Sequence, residues 1–548
     1  MTRRLSIIAI FKMLFSILAI VFFGQFHGAV GAQDTWSGYG GNIYNNRWAA
    51  LNTDIDSSSI LSLAGHCKAT YPSGISATPI ISGSIAYYPT WNGSFVAYNY
   101  DACQTIWQAN VTAIINSYAP LTAEQKEVML PVGRSSAQID GDIIYFGTIA
   151  NSLIVALDLN TGKHLGSIQI NVHPLATVTG SITFYDGKIY AGTSSLEEEI
   201  DIEPDYKCCS FAGNFAAVAF DSLSGEFEFV WNVPMIPKKY VEKGWAGVGV
   251  WGGQPSIDID RNQVYIGTGN VYTMPESVIA CFNATRLNAT ATNDPCLPSD
   301  ILQESLLALD LDTGKIKWIH HMHALDAWTE ACGYYPLFPG NPTLCPFTPG
   351  PDADFGMAPT YVPGSQYTPD RKDIIVVGQK NGNLYALCAE DGTTLWATVA
   401  TSGGVSGGLS WGMAVDENQI YYTAINSDGG PWQLQPQNVT IDYSAWGAIS
   451  LLTGDFVWGT PVPGSGSTFT PATVVGDLVL VSSGGSTTVN GSLVALKKTT
   501  GAIVAEFDAG LDFRGGIAVV GQSVIFGVGY AGVIAGPSVG DLFVMRLS

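Results

Sequence analysis

Positive charge is what this 548-residue chain has least of. It carries 24 Lys+Arg against 46 Asp+Glu, only 7 His, and a formal net charge of −22. A phosphate-binding surface needs clustered Lys and Arg, so nucleic acid is excluded as a partner, as is attachment to an anionic membrane face. Charged residues of both signs make up only 13% of the chain. Long apolar runs are missing beyond the first thirty residues; no later segment reaches the ~20 apolar residues that span a bilayer. The motif CxxCH is absent, which argues against covalently attached c-type haem. What is present suits burial: 47% hydrophobic residues, 11% aromatics and 62 glycines. Such a chain is neither disordered nor a small disulfide-stapled scaffold. It fits many short buried strands joined by tight turns, an all-β protein.

The first residues have a different character. Arg3-Arg4 precede an apolar stretch from Leu5 to Phe23, broken only by Lys12 and serines, and the small residues Val30-Gly31-Ala32 follow. This is the layout of a secretory signal peptide spanning 1–32, cut after Ala32. The mature chain, 33–548, is then expected outside the cytoplasm, secreted and with no membrane attachment. Asn-x-Ser/Thr sequons at Asn92, Asn110, Asn283, Asn288, Asn438 and Asn490 agree with export and with glycosylation. The nine cysteines sit in a compartment where disulfides form. Cys281 with Cys296 and Cys332 with Cys345 are plausible loop staples, and Cys67 with Cys103 a third pairing.

One pattern recurs along the mature chain. A strand ends in Ala-Leu-Asp, a Thr-Gly turn follows, and the next strand often carries Trp. Copies are Val155-Ala-Leu-Asp-Leu-Asn-Thr-Gly162, Val218–Gly225 and Leu307–Gly314, with weaker ones at Tyr385–Gly392, Ala448–Gly454 and Val494–Gly501 and an eroded one at Val96–Cys103. Trp107, Trp231, Trp318, Trp396 and Trp458 follow most of these turns. Further strands are expected at Ile143–Thr148, Lys188–Thr193, Gln263–Thr268, Ile374–Gly378 and Leu478–Ser482. The spacing is irregular but always sufficient for a four-stranded propeller blade, and each blade buries its faces only by stacking on neighbours. Gly516–Val528 with Leu542–Leu547, together with the segment near Trp36, would close an eighth blade. The expected fold is one eight-bladed β-propeller domain over 33–548.

The repeat resembles the tryptophan-docking repeat of quinoprotein dehydrogenases, which carry pyrroloquinoline quinone (PQQ). The stretch His173-Pro174, Val178-Thr-Gly-Ser181, Gly192-Thr-Ser-Ser-Leu-Glu-Glu198 and Cys208-Cys209 resembles the polyvinyl-alcohol-dehydrogenase-like branch in particular. The resemblance implies PQQ and Ca²⁺ as cofactors and an alcohol as substrate. With no haem motif, it also implies an external electron acceptor, which the sequence does not identify.

Site residues follow from the same resemblance. Cys208-Cys209, which read alone could be two separate cysteines, would form a vicinal disulfide packed on one face of the quinone, with Trp251 on the other. In this chain the pair follows the Glu-containing loop, unlike in the methanol enzymes. Glu197 and Asn270 would bind Ca²⁺, a cation that favours hard oxygen ligands. Glu198 is the adjacent fallback, because alternation along a strand puts one of the two on the site face. Glu199, Asp201 and Glu203 read as a solvated acidic loop. PQQ has three carboxylates and adjacent carbonyls, so Arg134, Thr179 and Ser194 would serve its polar rim and Lys380 its reactive carbonyl. The family usually has Asp after a Trp in the catalytic region; here Thr329 follows Trp328, and Asp326 becomes the base, with Glu330 a weaker alternative. Asp354 is either a family motif residue or a turn cap. Two rivals to the enzyme stand: a non-catalytic secreted propeller scaffold, which Thr329 favours, and a propeller glycosidase, for which no paired carboxylate motif is seen.

Overall fold

The Thr-Gly turn and the tryptophan that follows it form a single device in the computed structural model. Gly162 takes a φ of +70°, strained for any side chain, and a Cβ there would stand 2.5 Å from the ring of Trp107 in the preceding repeat. The Trp107 indole N–H donates to the Leu159 carbonyl at 2.9 Å. Trp231 docks on Gly314 in the same way, Trp318 on Gly392, Trp396 on Gly454 and Trp458 on Gly501. Each of these indoles donates to a backbone carbonyl of the next repeat at 2.8–3.1 Å. Gly166 stands where the second repeat would carry its tryptophan, and it packs directly against the Gly225 carbonyl.

The structure describes residues 35–548 apart from 286, 334–339, 342, 346–348, 406, 427, 485–489 and 531–538. The expected signal peptide, 1–32, lies outside the described residues. The strands form eight sheets of at least four strands each, antiparallel within every blade, the blades of a propeller. In chain order, blades one to seven occupy residues 80–110, 138–169, 183–234, 256–321, 360–399, 413–461 and 473–508. Blade eight joins Ile517–Val520, Ser523–Gly527 and Gly540–Leu547 from the end of the chain to Leu63–Tyr71 from its beginning. The ring is therefore closed by Leu63–Tyr71. The Trp36 segment, expected in that role, instead adds Thr35–Trp36 to the inner edge of blade one.

Trp48–Ala49 pairs in parallel with Val474–Val475 of blade seven, so residues 36–49 cross the middle of the ring. Arg47 anchors this crossing. Its guanidinium, fully buried, donates to the Ala472 and Ile517 carbonyls at 2.8 and 3.0 Å and to the Thr473 hydroxyl at 2.9 Å. It also donates to the Tyr39 carbonyl. Apolar faces of adjacent blades interlock. In one cluster Ala414, Tyr421 and Trp446 of blade six meet Val474, Val479 and Val494 of blade seven, all buried. Disulfides join Cys67–Cys103, Cys208–Cys209, Cys281–Cys296 and Cys332–Cys345, and Cys388 is buried and free. Among the described residues no helix is long and apolar enough to cross a membrane.

Candidate active site

The blades place function at the ends of their inner strands. Ser76, Arg134, Thr179, Phe469 and Arg514 each lie three or four positions before the inner strand of their blade, and all of them line one central cavity of ≈ 540 Å³. Ser194 and Lys380 reach it from the other direction, two residues past the second strands Lys188–Gly192 and Ile374–Gly378. Tyr39, on the segment that crosses the ring, also lines the cavity, and its hydroxyl donates to the Trp411 carbonyl.

Lys380 is the electrostatic centre. Its ammonium lies 2.9 Å from Asp352 Oδ2 and 3.6 Å from Asp354 Oδ2, and 5.1 Å from the centroid of the Trp251 ring. Burial alone would lower its pKa, but Asp352, Asp354 and Glu198 outweigh burial and hold it above the ordinary lysine range. Trp251 is fixed by its indole N–H donating to Asp354 Oδ2 at 2.7 Å. The other oxygen of Asp354 accepts the Asn270 backbone N–H at 2.6 Å. Asp354 is thus a brace, tying the Trp251 loop to the strand exit that carries Asn270. Asp352 lines the cavity; burial, before any neighbouring charge, raises its carboxyl well above the usual range, and its Oδ1 has no partner.

Of the residues expected from the sequence, Arg134, Thr179, Ser194, Trp251 and Lys380 line this one cavity. The Thr179 hydroxyl lies 2.9 Å from Ser194 Oγ and donates to the Trp251 carbonyl at 3.2 Å. Arg134 lies over the rings of Trp91 and Tyr530, 6.0 and 5.9 Å from their centroids. Asn270 is buried just behind the wall. Its amide N–H₂ donates to the Trp328 carbonyl at 2.8 Å, and its Oδ1 has no partner.

Four expectations are corrected by position. Glu197 does not face the cavity. Its carboxylate, wholly buried, accepts the Ser210 and Phe211 backbone N–H groups at 2.7–2.9 Å and the Tyr206 hydroxyl at 2.8 Å. Of the two neighbours it is Glu198 that lines the wall, raised well above the usual range by burial and then by Asp354, with Tyr272 in hydrogen-bonding reach. The segment is a short helix, Glu197–Ile200, so adjacent residues point about 100° apart rather than to opposite faces of a strand.

Cys208 and Cys209 are bonded to each other but absent from the cavity wall. Glu197 draws the loop after them inward, and Cys209 packs against Ala176, Phe211 and Tyr272. Asp326 is fully buried and off the wall, with Oδ2 accepting the Ala353 N–H at 2.8 Å. The acidic loop is not solvated throughout either. Glu203 is exposed, but Glu199 lines the cavity and Asp201 is buried, accepting the Ala331 N–H at 2.9 Å. Burial and the nearby Glu330 push Glu199 up to about 7. Sequence reasoning missed Asp352, Tyr272 and Trp411 as wall residues. Only Asp352 left a trace, two positions before the Asp354 it had noted.

No protein-family model matches the chain. A polyvinylalcohol dehydrogenase of Sphingopyxis sp. (strain 113P3) is 26% identical over 438 residues, covering 78% of this chain and 59% of the relative. The chain therefore spans about six-tenths of the length of the curated relative it matches. Among solved structures, a quinohemoprotein alcohol dehydrogenase from Comamonas testosteroni superposes with a TM-score of 0.66 at 17% identity, over 95% of this chain and 81% of that one. A europium-containing methanol dehydrogenase superposes at 0.63 with 16% identity, over 94% and 98%. The structural likeness is one of fold. The sequence likeness is to a protein named as a polyvinylalcohol dehydrogenase, in line with the resemblance read from the repeat.

Proposed function

We propose that this chain is a secreted alcohol dehydrogenase that uses PQQ and Ca²⁺ and passes electrons to an external acceptor. The observation that carries the reading is the grouping of Lys380, Asp352, Asp354 and Trp251 beside the unpartnered amide oxygen of Asn270. A buried cation ringed by carboxylates on an aromatic wall suits a flat, oxygen-rich cofactor, and ≈ 540 Å³ lies within the usual range for such sites.

The donor set fits both groups. Arg134, Thr179 and Ser194 would bind the carboxylate rim of PQQ, Trp251 would take its ring face, and Lys380 its carbonyl edge. Glu198 and Asn270 Oδ1 offer hard oxygens for Ca²⁺. When bound, PQQ would supply a two-electron acceptor and Ca²⁺ a Lewis acid.

The chain's own work is orientation and proton handling. Asp352 lines the cavity with one oxygen held by Lys380 and the other open, so it takes the hydroxyl proton at Oδ1. Lys380 stays cationic and holds the other oxygen of Asp352 in place. Asp354, both of whose oxygens already accept hydrogen bonds, positions Trp251 and Asn270.

Titration of the metal-depleted protein with PQQ and Ca²⁺ tests the reading. Stoichiometric absorption changes reversed by EDTA are expected, with alcohol-dependent reduction of an artificial dye. Asp352→Asn should lower kcat by at least about 100-fold with an unchanged PQQ titre. Wild-type turnover in that variant would overturn Asp352 as the proton acceptor. Failure to bind PQQ would favour the scaffold reading.

A further inference from the structure

Behind the cavity wall, three ligand-type side chains converge that the proposed chemistry does not use. Glu304 is fully buried just before the strand Ser305–Asp310, and neither of its carboxylate oxygens has a hydrogen-bond partner. It holds a φ of +40°, in the left-handed region a non-glycine residue rarely takes, so the backbone keeps this side chain in place against its own preference. Asp326 is equally buried, and its Oδ1 is likewise without a partner. His323, half-buried, brings Nδ1 to 3.6 Å from Glu304 Oε2. One ligand atom from each of Glu304, His323 and Asp326 lies within 4.8 Å of the other two. None of the three lines the cavity.

Two buried carboxylates that meet with no donor between them need either a shared proton or a cation, and the imidazole of His323 beside them completes a ligand set for the cation. The buried cation Lys380 is committed to Asp352 and Asp354. We propose that Glu304, His323 and Asp326 form a second metal site, for a divalent transition cation of the Zn²⁺ class, separate from the cofactor cavity. Two carboxylates with one imidazole make a mixed oxygen and nitrogen set, which suits Zn²⁺ better than Ca²⁺. Ligands about 2.1 Å from a single ion lie roughly 3–4 Å from one another, so closing onto an ion asks only for small side-chain adjustments. His323 supplies the path from solvent. The site would tie the strand entry at Glu304 to the loop of Asp326, whose Oδ2 holds Ala353 next to Asp352.

The full-length protein, stripped with EDTA and reloaded with Zn²⁺ alone, tests this by elemental analysis and by the visible spectrum of a Co²⁺ substitute. One equivalent is expected in the wild type, with a Co²⁺ spectrum showing nitrogen ligation. Glu304→Gln and the half-buried His323→Ala should each weaken binding by at least about 100-fold. Glu198→Gln, in the cofactor cavity, should keep the equivalent. No bound Zn²⁺ in the wild type would overturn the site and leave Glu304 and Asp326 sharing a proton. Loss of Zn²⁺ in Glu198→Gln with retention in His323→Ala would overturn it in favour of the cavity.

Discussion

Glu197 and Glu198 are neighbours with opposite environments. Glu197 accepts hydrogen bonds from the chain that follows the cysteine pair, and Glu198 stands among like charges on the cavity wall. The sequence narrowed the choice to these two residues but could not rank them, because the ranking depends on a one-turn helix that no periodicity announces. Arg134, Thr179, Ser194, Trp251 and Lys380 were legible for a different reason: each follows from the family resemblance, and each lies on the cavity wall close to the end of a blade strand. Glu199 was misread with Asp201 and Glu203 as a solvated acidic loop, because nothing in a run of carboxylates shows that the fold turns this one to the cavity. Its carboxyl, raised from 4.5 to about 7 by burial first and Glu330 second, keeps its proton in the folded state where the unfolded chain has released it. Stability is therefore lost as pH rises from 4.5 to 7, and the full cost stands above that window. Glu199→Gln should raise Tm at pH 8 by a gain worth on the order of 1–3 kcal/mol, shrinking to nothing near pH 4.5. Calorimetry showing the same gain at both pH values would contradict this account.

At the scale of elements, blade boundaries come from the docking device. Strand Ile374–Gly378 lies where the sequence puts it, and Ile143–Gly147 and Gln263–Gly267 differ from expectation by one residue, because apolar runs bounded by turn residues carry a strong signal. The inner strands are mostly three residues long, as in Ile80–Ser82 and Gln138–Asp140, too short for any alternation to show. Blade two, like blade seven with Ala505, lacks the docking tryptophan. With Gly166 in the tryptophan position, the Gly225 carbonyl of blade three approaches the strand directly, and a Cβ there would stand 2.5 Å from it, while Tyr145 packs alongside on Phe184, Phe220 and Phe227. Gly166→Ala should therefore destabilise the protein by about 1–3 kcal/mol, read from urea unfolding, although Ala is the better strand residue. Unchanged stability would mean that this interface is looser than its neighbours.

At the scale of the whole molecule, the repeat announced a ring of eight blades, but how the ring closes was hidden. Leu63–Tyr71 carries no copy of the turn motif, and its partner Gly540–Leu547 lies almost the full chain length away. Without residues 540–548, blade eight loses the strand that joins Leu63–Tyr71 to Ser523–Gly527. Such a truncated chain should lose its cooperative thermal transition, and a synthetic peptide of residues 540–548 added in trans should restore it by strand addition. A truncated chain that melts like the wild type would show the closure to be dispensable. This topology also acts as a check on synthesis. A product stopped before residue 540 presents two open sheet edges, each a template for pairing with another chain, whereas one that includes Gly540–Leu547 covers both. Incomplete copies thereby expose pairing templates that the last strand would cover.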